Sequence, residues 1–428
     1  MSSRATTWEP VAGSSGWRAC GMLLRPLHLG LAFPSVIYLA AMTVFLFRPP
    51  DLDLYHADRI ALGGLVFLMA LRAMALREKI PFVAGLTLPI LGLAGLAVLR
   101  ALREPFDAPT WSLVASKFLV PLILLHVSML IFRGDRARRH FEIFVILALA
   151  YLIFTAIAFL VDARSLIFPR FILDESLGIH ADRARGPFLQ AVANGMALNI
   201  LGILAIVLAQ KHRKIVLLLW LALPVAVLAT MTRAVWIAFA VSTIALGFRL
   251  GVPRLRRACV GLAVAGLVAG LAIFVTDNSL ANSLRERTGE RGSVEARVAV
   301  YDAAWSMIQE RPLTGWTSGG LYSELARRMQ GYHLRSFYVH NTYLSLLIEF
   351  GVPGLALYGI LFFNLFRLSR TSKSADEGPP LYALRRAWPI LLCVYLFNAF
   401  FVDMAYQFVI GLMFTVAGLL CASEESSS

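Results

Sequence analysis

Charged residues are scarce in this chain, and lysine and cysteine are scarcer still. Only 15% of the 428 residues are charged, whereas 58% are hydrophobic and the mean hydropathy is +0.71. A soluble domain cannot bury that share of apolar side chains, so a soluble globular class is excluded. The four cysteines have no zinc-type spacing, and none is placed to form a disulfide in an external loop.

Apolar segments near the length that spans a bilayer, about 20 residues, recur along the whole chain. Reading between their charged breaks predicts an all-α polytopic membrane protein with about 12 transmembrane helices. The predicted spans are 27–47, 60–76, 80–98, 111–132, 141–161, 187–209, 215–230, 234–248, 258–275, 341–366, 388–402 and 405–420. This number of spans places both termini on one side, and residues 1–428 are interpreted as a single membrane domain.

Positive residues are unevenly distributed about these spans. Arg and Lys concentrate in the short connections on the side of the termini, for example 133–139, 211–214 and 249–257. The positive-inside rule makes that side cytoplasmic, and it explains much of the net charge of +14 without nucleic acid as a partner. The first apolar segment is long and follows a polar leader, so we expect it to stay as an anchor rather than be cleaved as a signal.

The opposite, external side carries many arginines and no lysine. Four of the five lysines fall in cytoplasmic connections, and Lys117 falls within the fourth predicted span, where we expect it to pair inside the bundle. Arginine binds phosphate through two parallel hydrogen bonds, so an arginine-rich external face favours a phosphorylated ligand. A genomic bias toward arginine would give the same composition. The positions of individual arginines therefore have to distinguish a phosphate-binding role from this bias.

Two external connections are much longer than the others. They cover residues 162–186 and 277–339, and long loops carry function more often than stability. Within the longer one, Ser293 is positioned to cap a helix that runs along the membrane surface and ends before Pro312. The apolar face of this predicted helix consists of Val298, Tyr301, Trp305 and Ile308.

His340 lies where the longer loop returns to the membrane, directly before the apolar segment that opens at Asn341. We expect it at the first turn of the tenth span, where backbone N–H groups and the helix dipole disfavour a protonated imidazole. A neutral imidazole at this surface is suited to act as a general base. The alternative is an interfacial histidine that only bonds a loop carbonyl.

Three external arginines accompany this histidine. Arg233 lies in a tight turn between two spans, and an ionisable residue at that depth is a functional candidate. Arg297 projects from the predicted surface helix, and Arg185 stands just ahead of the sixth span. Structural alternatives are contact with lipid headgroups for Arg233 and a salt bridge to Glu295 for Arg297.

The tenth predicted span contains both a carboxylate and a helix-breaking segment. Glu349 lies about 13 Å below His340 at 1.5 Å per residue, and we interpret it as structural, bonding a neighbouring helix. The segment Gly-Val-Pro-Gly at 351–354 is expected to kink the helix.

The order and spacing of these residues resemble those of a known family, the O-antigen ligase and polymerase superfamily of bacterial envelope glycosyltransferases. The resemblance covers roughly 185–368, and its most specific part is the His-Asn segment. The matching segments are Thr-Arg-Ala-Val-Trp at 232–236, Glu-Ala-Arg at 295–297 with Trp305, Arg-Pro-Leu-Thr-Gly at 311–315, and His-Asn-Thr-Tyr-Leu at 340–344 leading to Glu-Phe-Gly at 349–351.

This resemblance implies an O-antigen ligase of the bacterial inner membrane with a periplasmic active site. The implied donor is a glycan on undecaprenyl pyrophosphate, the implied acceptor is lipid A-core, and the inverting transfer needs no metal ion or other cofactor. The implied catalytic base is His340. The implied pyrophosphate contacts are Arg233 and Arg297, with Arg185 as a weaker one. The expected supporting residues are Asn341, Tyr338, Trp305 and His333.

Other functions stay open at this point. An O-antigen or exopolysaccharide polymerase and a protein O-oligosaccharyltransferase share the same chemistry. A metal-dependent glycosyltransferase would use Asp51 and Asp53 in the first external loop. A flippase or transporter of lipid-linked glycans belongs to a different class, and it would line a path through the membrane midplane with charge rather than cluster it externally.

Overall fold

A computed structural model gives the fold of the chain. It describes residues 33–48, 57–103, 105–250, 292–316, 318–329, 339–370 and 379–425, with a few single positions between 257 and 264. Most of the predicted ninth span lies outside the described residues, as do Asp51, Asp53, His333 and Tyr338.

Helices make up most of the described residues, and no strand occurs among them. The first half contains α1 (Pro34–Leu46), α2 (Ala57–Leu76), α3 (Ala84–Ala101), α4 (Ala108–Val114), a π-helical segment (Ala115–Leu119), α5 (Val120–Ile131), α6 (Asp135–Leu160), α7 (Ala191–Leu208), α8 (Arg213–Ala229) and α9 (Arg233–Arg249). The second half contains α10 (Gly292–Glu310), α11 (Ser318–Arg328), α12 (Thr342–Arg367), α13 (Pro379–Asn398) and α14 (Gln407–Glu425). The shorter 3-10 segments are Arg164–Leu166, Arg170–Leu173, Gly186–Phe188 and Gln210–His212.

The helical membrane class predicted from hydropathy is confirmed. Within the described residues, six helices are long and apolar enough to cross a membrane, namely Ala57–Leu76, Ala84–Ala101, Thr110–Ile131, Asp135–Leu160, Ala191–Leu208 and Thr342–Arg367. Shorter apolar helices occur at Pro34–Leu46 and Gln407–Ser423. The predicted total of about 12 spans stays a prediction.

The centre of the bundle is α7, which packs against α6, α8, α9 and α13. Of the apolar window of this helix, 89% is buried by the protein, compared with 11% for α2 at the periphery. Close approach depends on small residues: a Cβ on Gly195 would lie 2.3 Å from a methyl carbon of Val235 on α9. Small side chains at such positions let helices approach closely where lipid supplies no hydrophobic driving force.

Connections that are distant in sequence meet at one end of the bundle, which we call the loop end. Three contacts define it: Ala184 N–H donates to the Ala229 carbonyl (3.0 Å), Thr342 N–H donates to the Ala399 carbonyl (2.8 Å), and the ring centroids of Phe188 and Tyr406 lie 6.3 Å apart. The loop end therefore gathers the connection 161–190, the turn 230–232, the start of α12 and the connection 399–406.

A break in α12 joins this helix to the preceding loop. Gly351 has φ 66° and ψ −166°, a region open only to glycine, so the predicted kink is confirmed. The break leaves backbone groups of α12 that form hydrogen bonds with the turn at 312–316. Trp316 N–H donates to the Ile348 carbonyl (2.7 Å), and Val352 N–H donates to the Pro312 carbonyl (2.8 Å). These two bonds fix the end of α10 against α12.

The predicted helix of the long loop is confirmed as α10. It begins at Gly292, so Ser293 lies within the helix and does not cap it, and the predicted apolar face does not act as one unit. Only Ile308 of that face is buried, whereas Val298, Tyr301 and Trp305 are exposed. A second face packs inward against α11 and α12 because its alanines allow close approach. The buried residues of that face are Val300, Ala303, Ala304 and Met307.

We predict that Gly351→Ala destabilises the protein by about 2–3 kcal/mol, because the required backbone conformation excludes side chains. The added Cβ would also lie 2.6 Å from the Pro312 carbonyl oxygen. Thermal unfolding of the purified protein in detergent measures the loss.

The matched control is Gly359→Ala in the same helix, where a new Cβ has no atom within 4 Å. This substitution is expected to leave the unfolding temperature unchanged or to raise it slightly through helix propensity. Equal destabilisation by both substitutions would contradict the role given to the break.

Candidate active site

His340 lies at the loop end, two residues before α12 begins. Its side chain is exposed, whereas its neighbours Val339 and Asn341 are buried. The Asn341 side chain caps α12 by accepting hydrogen bonds from Tyr343 N–H (3.0 Å) and Leu344 N–H (3.1 Å). His340 therefore does not enter the first turn as predicted: Asn341 occupies the cap and leaves the imidazole in front of the helix.

Thr342 fixes the connection 399–406 beside this histidine. Its hydroxyl donates to the Val402 carbonyl (2.8 Å) and accepts from Met404 N–H (3.0 Å), so the backbone on both sides of Asp403 is held. The Thr342 N–H in turn donates to the Ala399 carbonyl. One residue of α12 thereby sets the position of Asp403 relative to His340.

Asp403 is one member of a partly buried charge cluster. Its Oδ2 lies 2.8 Å from Lys117 Nζ, and the same nitrogen lies 3.7 Å from Glu349 Oε1. Ser345 donates a hydrogen bond to that Glu349 oxygen (2.7 Å). The predictions that Lys117 pairs inside the bundle and that Glu349 bonds a neighbouring helix are both confirmed. Two carboxylates around one ammonium satisfy the cation in the low-dielectric interior.

Lys117 reaches this cluster from an irregular part of its helix. It lies in the π-helical segment Ala115–Leu119, where the wider turn shifts the register between α4 and α5. Such π-bulges occur frequently at functional sites. The hydropathy of the sequence does not predict this change of helical register.

Arg297 contributes the nearest positive group of the long loop. Its side chain is exposed on α10, and its Cζ lies 5.9 Å from the ring centroid of Phe401, two residues from Asp403. The structure thus brings Arg297 to the same connection that Thr342 holds against His340. That the two residues belong to one functional site stays a prediction.

The surroundings of His340 favour its neutral form. Crowding by protein atoms around the ring lowers the pKa of His340 below its ordinary value of 6.5. The Asp403 carboxylate raises this pKa again, and the Arg297 guanidinium lowers it further. One negative and one positive group thus act on the imidazole, and at neutral pH it is able to accept a proton.

Arg233 begins α9 at the same end of the bundle. It is exposed, and α9 packs against α13, the helix that leads into the connection 399–406. The Thr232 hydroxyl donates to the Thr230 carbonyl (2.8 Å) and does not cap α9. A guanidinium at a helix start without a side-chain cap favours an anion at this position.

Arg185 occupies a different setting from the other two arginines. Only 2% of it is exposed, and its guanidinium donates to the backbone carbonyls of Ile172, Leu177 and Asp174. These three bonds hold the connection 161–190 in shape and orient the guanidinium into the protein. The geometry favours a structural role for Arg185, and its predicted pyrophosphate contact has no support from these bonds.

The sequence interpretation missed two residues of the connection 399–406, and it left the role of Trp305 open. Asp403 and Phe401 belong to a connection that looks like an ordinary turn between two apolar segments, and only the fold brings them to His340. Trp305 is 57% exposed on α10, eight residues after Arg297. Within the described part of the chain, no cluster of three or more His, Cys, Asp or Glu side chains forms a metal site.

Comparison with known proteins tests the resemblance. A family model described as O-Antigen ligase matches residues 215–359, which include Arg233, Arg297, Trp305 and His340. A comparison with curated proteins finds no match to the chain. The matched segment begins in α8 and ends within α12, so it contains the catalytic candidates and the helix break. The predicted resemblance to the O-antigen ligase family is therefore confirmed for residues 215–359 of this helical membrane protein.

Proposed function

We propose that the protein is an O-antigen ligase that transfers a glycan from undecaprenyl pyrophosphate to a sugar hydroxyl of lipid A-core. The observation that carries this proposal is that His340 and Arg297, both inside the segment that matches the family, meet the connection 399–406 with Asp403 at the loop end. This arrangement supplies a base for the acceptor hydroxyl next to a cation for the leaving group.

His340 is the proposed catalytic base. Its neutral imidazole takes the proton of the acceptor hydroxyl while the oxygen attacks C1 of the donor sugar from the side opposite the pyrophosphate, which inverts the anomeric centre. The imidazolium that forms is stabilised by the Asp403 carboxylate, which Lys117 and the Thr342 hydrogen bonds hold in place. Proton transfer by a positioned base accounts for about 10²- to 10⁴-fold in rate.

Arg297 and Arg233 are the proposed pyrophosphate contacts. Cleavage of the bond between C1 and oxygen builds negative charge on the departing pyrophosphate, and fixed donors aimed at that charge stabilise the transition state. Arg297 lies beside the base, and Arg233 adds a cation and the start of α9 at the same end. Arg185 takes part only indirectly, by holding the connection 161–190 in the shape that borders the turn before Arg233.

The loop end is the proposed periplasmic face. The opposite end carries cationic side chains on its backbone, such as Arg385 on the Leu368 carbonyl (2.7 Å) and Arg249 on the Arg386 carbonyl (3.0 Å), in line with the positive-inside rule. We place the protein in the bacterial inner membrane with cytoplasmic termini. The polyprenyl tail of the donor then stays in the outer leaflet while its pyrophosphate reaches the arginines.

Reconstitution tests this function. We predict that the purified protein glycosylates lipid A-core from an undecaprenyl-pyrophosphate O-antigen donor, that EDTA has no effect, and that His340→Ala lowers the rate by about 10²- to 10⁴-fold. The matched control is His180→Asn in the connection 161–190. Asparagine tolerates the positive φ of this position, so the substitution should leave the rate unchanged.

Other outcomes of this assay would contradict the proposal. Longer undecaprenyl-linked chains would indicate a polymerase, and glycosylated protein would indicate a protein O-oligosaccharyltransferase. Loss of activity in EDTA would indicate a metal enzyme. Movement of donor between leaflets without transfer would indicate a flippase.

The charges around His340 predict the acid limb of the pH profile. A base must be neutral, so kcat/KM falls as pH drops through the pKa of the imidazole. Asp403 raises the pKa of His340, so Asp403→Asn should move the acid limb to lower pH; Arg297 lowers this pKa, so Arg297→Gln should move the limb to higher pH. Initial rates of transfer between pH 4.5 and about 8 measure both shifts.

A general loss of structure in the two variants would not move the acid limb of the pH profile in opposite directions. A reference substitution is Asp162→Asn, an exposed carboxylate of the connection 161–190 that pairs with Arg164 rather than with the histidine. Shifts of the same sign for Asp403→Asn and Arg297→Gln, or an equal shift in the reference, would mean that His340 is not the titrating base.

A further inference from the structure

The outward face of α10 has an unusual combination of side chains. Aromatic and polar residues and one valine share one sector of the helix, and all of them are exposed. They are Arg297, Val298, Tyr301, Asp302, Trp305 and Gln309. Tyr301 is 39% and Trp305 57% exposed, although large aromatic rings tend to be buried in folded proteins. We call this sector the α10 outer face.

The α10 outer face begins at the proposed catalytic groups. Arg297 lies beside Phe401 and influences His340, and the Tyr301 hydroxyl lies 3.5 Å from Asn341 Nδ2, next to His340 in the chain. Trp305 follows one helical turn further on. Successive steps of four residues advance about 6 Å along the axis, which matches the length of about one pyranose ring.

The composition of this face favours a sugar over a membrane surface. An interfacial helix presents apolar and cationic residues to lipid, whereas here Asp302 and Gln309 flank Trp305 within the same sector. A carboxylate and an amide are acceptors and donors for sugar hydroxyls. An aromatic ring has a negative face that attracts the polarised C–H groups on the apolar side of a pyranose.

We propose that the α10 outer face is a glycan subsite that holds the first sugars of the donor, with Tyr301 and Trp305 as stacking surfaces and Asp302 and Gln309 as hydroxyl partners. This inference rests on the proposed function. Arg297 holds the pyrophosphate. Tyr301 lies beside the sugar that is attached to the pyrophosphate, and Trp305 contacts the next sugar of the glycan. The subsite would therefore select donors by the sugars near their reducing end.

The test measures donor binding separately from transfer. The full-length protein in nanodiscs is titrated with polyprenyl pyrophosphate that carries no sugar, one sugar or three sugars. The variants are Trp305→Phe, which keeps an aromatic ring, and Trp305→Leu, which keeps apolarity without a ring. The matched control is Phe106→Leu, which removes an aromatic ring that is 80% exposed between α3 and α4.

In the wild type, the three-sugar probe should bind more tightly than the bare pyrophosphate. Trp305→Leu should weaken binding of the three-sugar probe by about 3- to 10-fold, the range expected for loss of one aromatic stacking contact. The same variant should leave binding of the bare pyrophosphate unchanged. Trp305→Phe should keep most of the sugar-dependent affinity, and Phe106→Leu all of it.

Three results would overturn the inference: no gain in affinity from sugars in the wild type, an equal loss for all three probes in Trp305→Leu, or no loss for any of them. A loss that is equal for all probes and absent in Trp305→Phe would assign Trp305 to contact with membrane or lipid. The proposed function fails separately, when the wild type transfers no glycan to lipid A-core, because the binding titration does not depend on turnover.

Discussion

The break in α12 at Gly351 is the constraint on which the candidate site depends. A continuous helix would use its own N–H and carbonyl groups, and it would offer nothing to the loop that precedes it. Because the break leaves the Ile348 carbonyl and Val352 N–H available, the turn at 312–316 docks there and fixes α10 against α12. The position of Arg297 relative to His340 follows from that docking, and so does the outward direction of Tyr301 and Trp305.

The second constraint is the double hydrogen bond of Thr342 to the connection 399–406. It holds the backbone on both sides of Asp403 while α10 brings Arg297 to the same connection, so two opposite charges act on one imidazole. A base with a lowered pKa stays neutral at neutral pH, and a nearby carboxylate stabilises the proton once it is taken. In the proposed mechanism, Arg297 both keeps the imidazole neutral and binds the leaving pyrophosphate, so one side chain influences proton removal and departure of the leaving group.

Hydropathy and spacing predicted the helical membrane class, the kink at 351–354, the helix of the long loop and the roles of Lys117 and Glu349. They did not predict that Asp403, 286 positions after Lys117, completes that cluster, because pairing across the fold leaves no local pattern. The buried setting of Arg185 was also missed, since its acceptors are backbone carbonyls that any sequence supplies. The face of α10 was misjudged because alanines pack closely without a strong hydropathy signal.

His340 and Arg297 are proposed to act on one transition state, and a double-mutant cycle on the transfer reaction measures the coupling between them. The rates of wild type, His340→Gln, Arg297→Gln and the double variant are compared in the reconstituted reaction. Strong coupling is expected, with the double variant little slower than the slower single variant, because the effects of residues that act in one reaction step are non-additive by about 0.5–3 kcal/mol. Additive losses would show that the two residues act independently and that the proposed shared transition state is wrong.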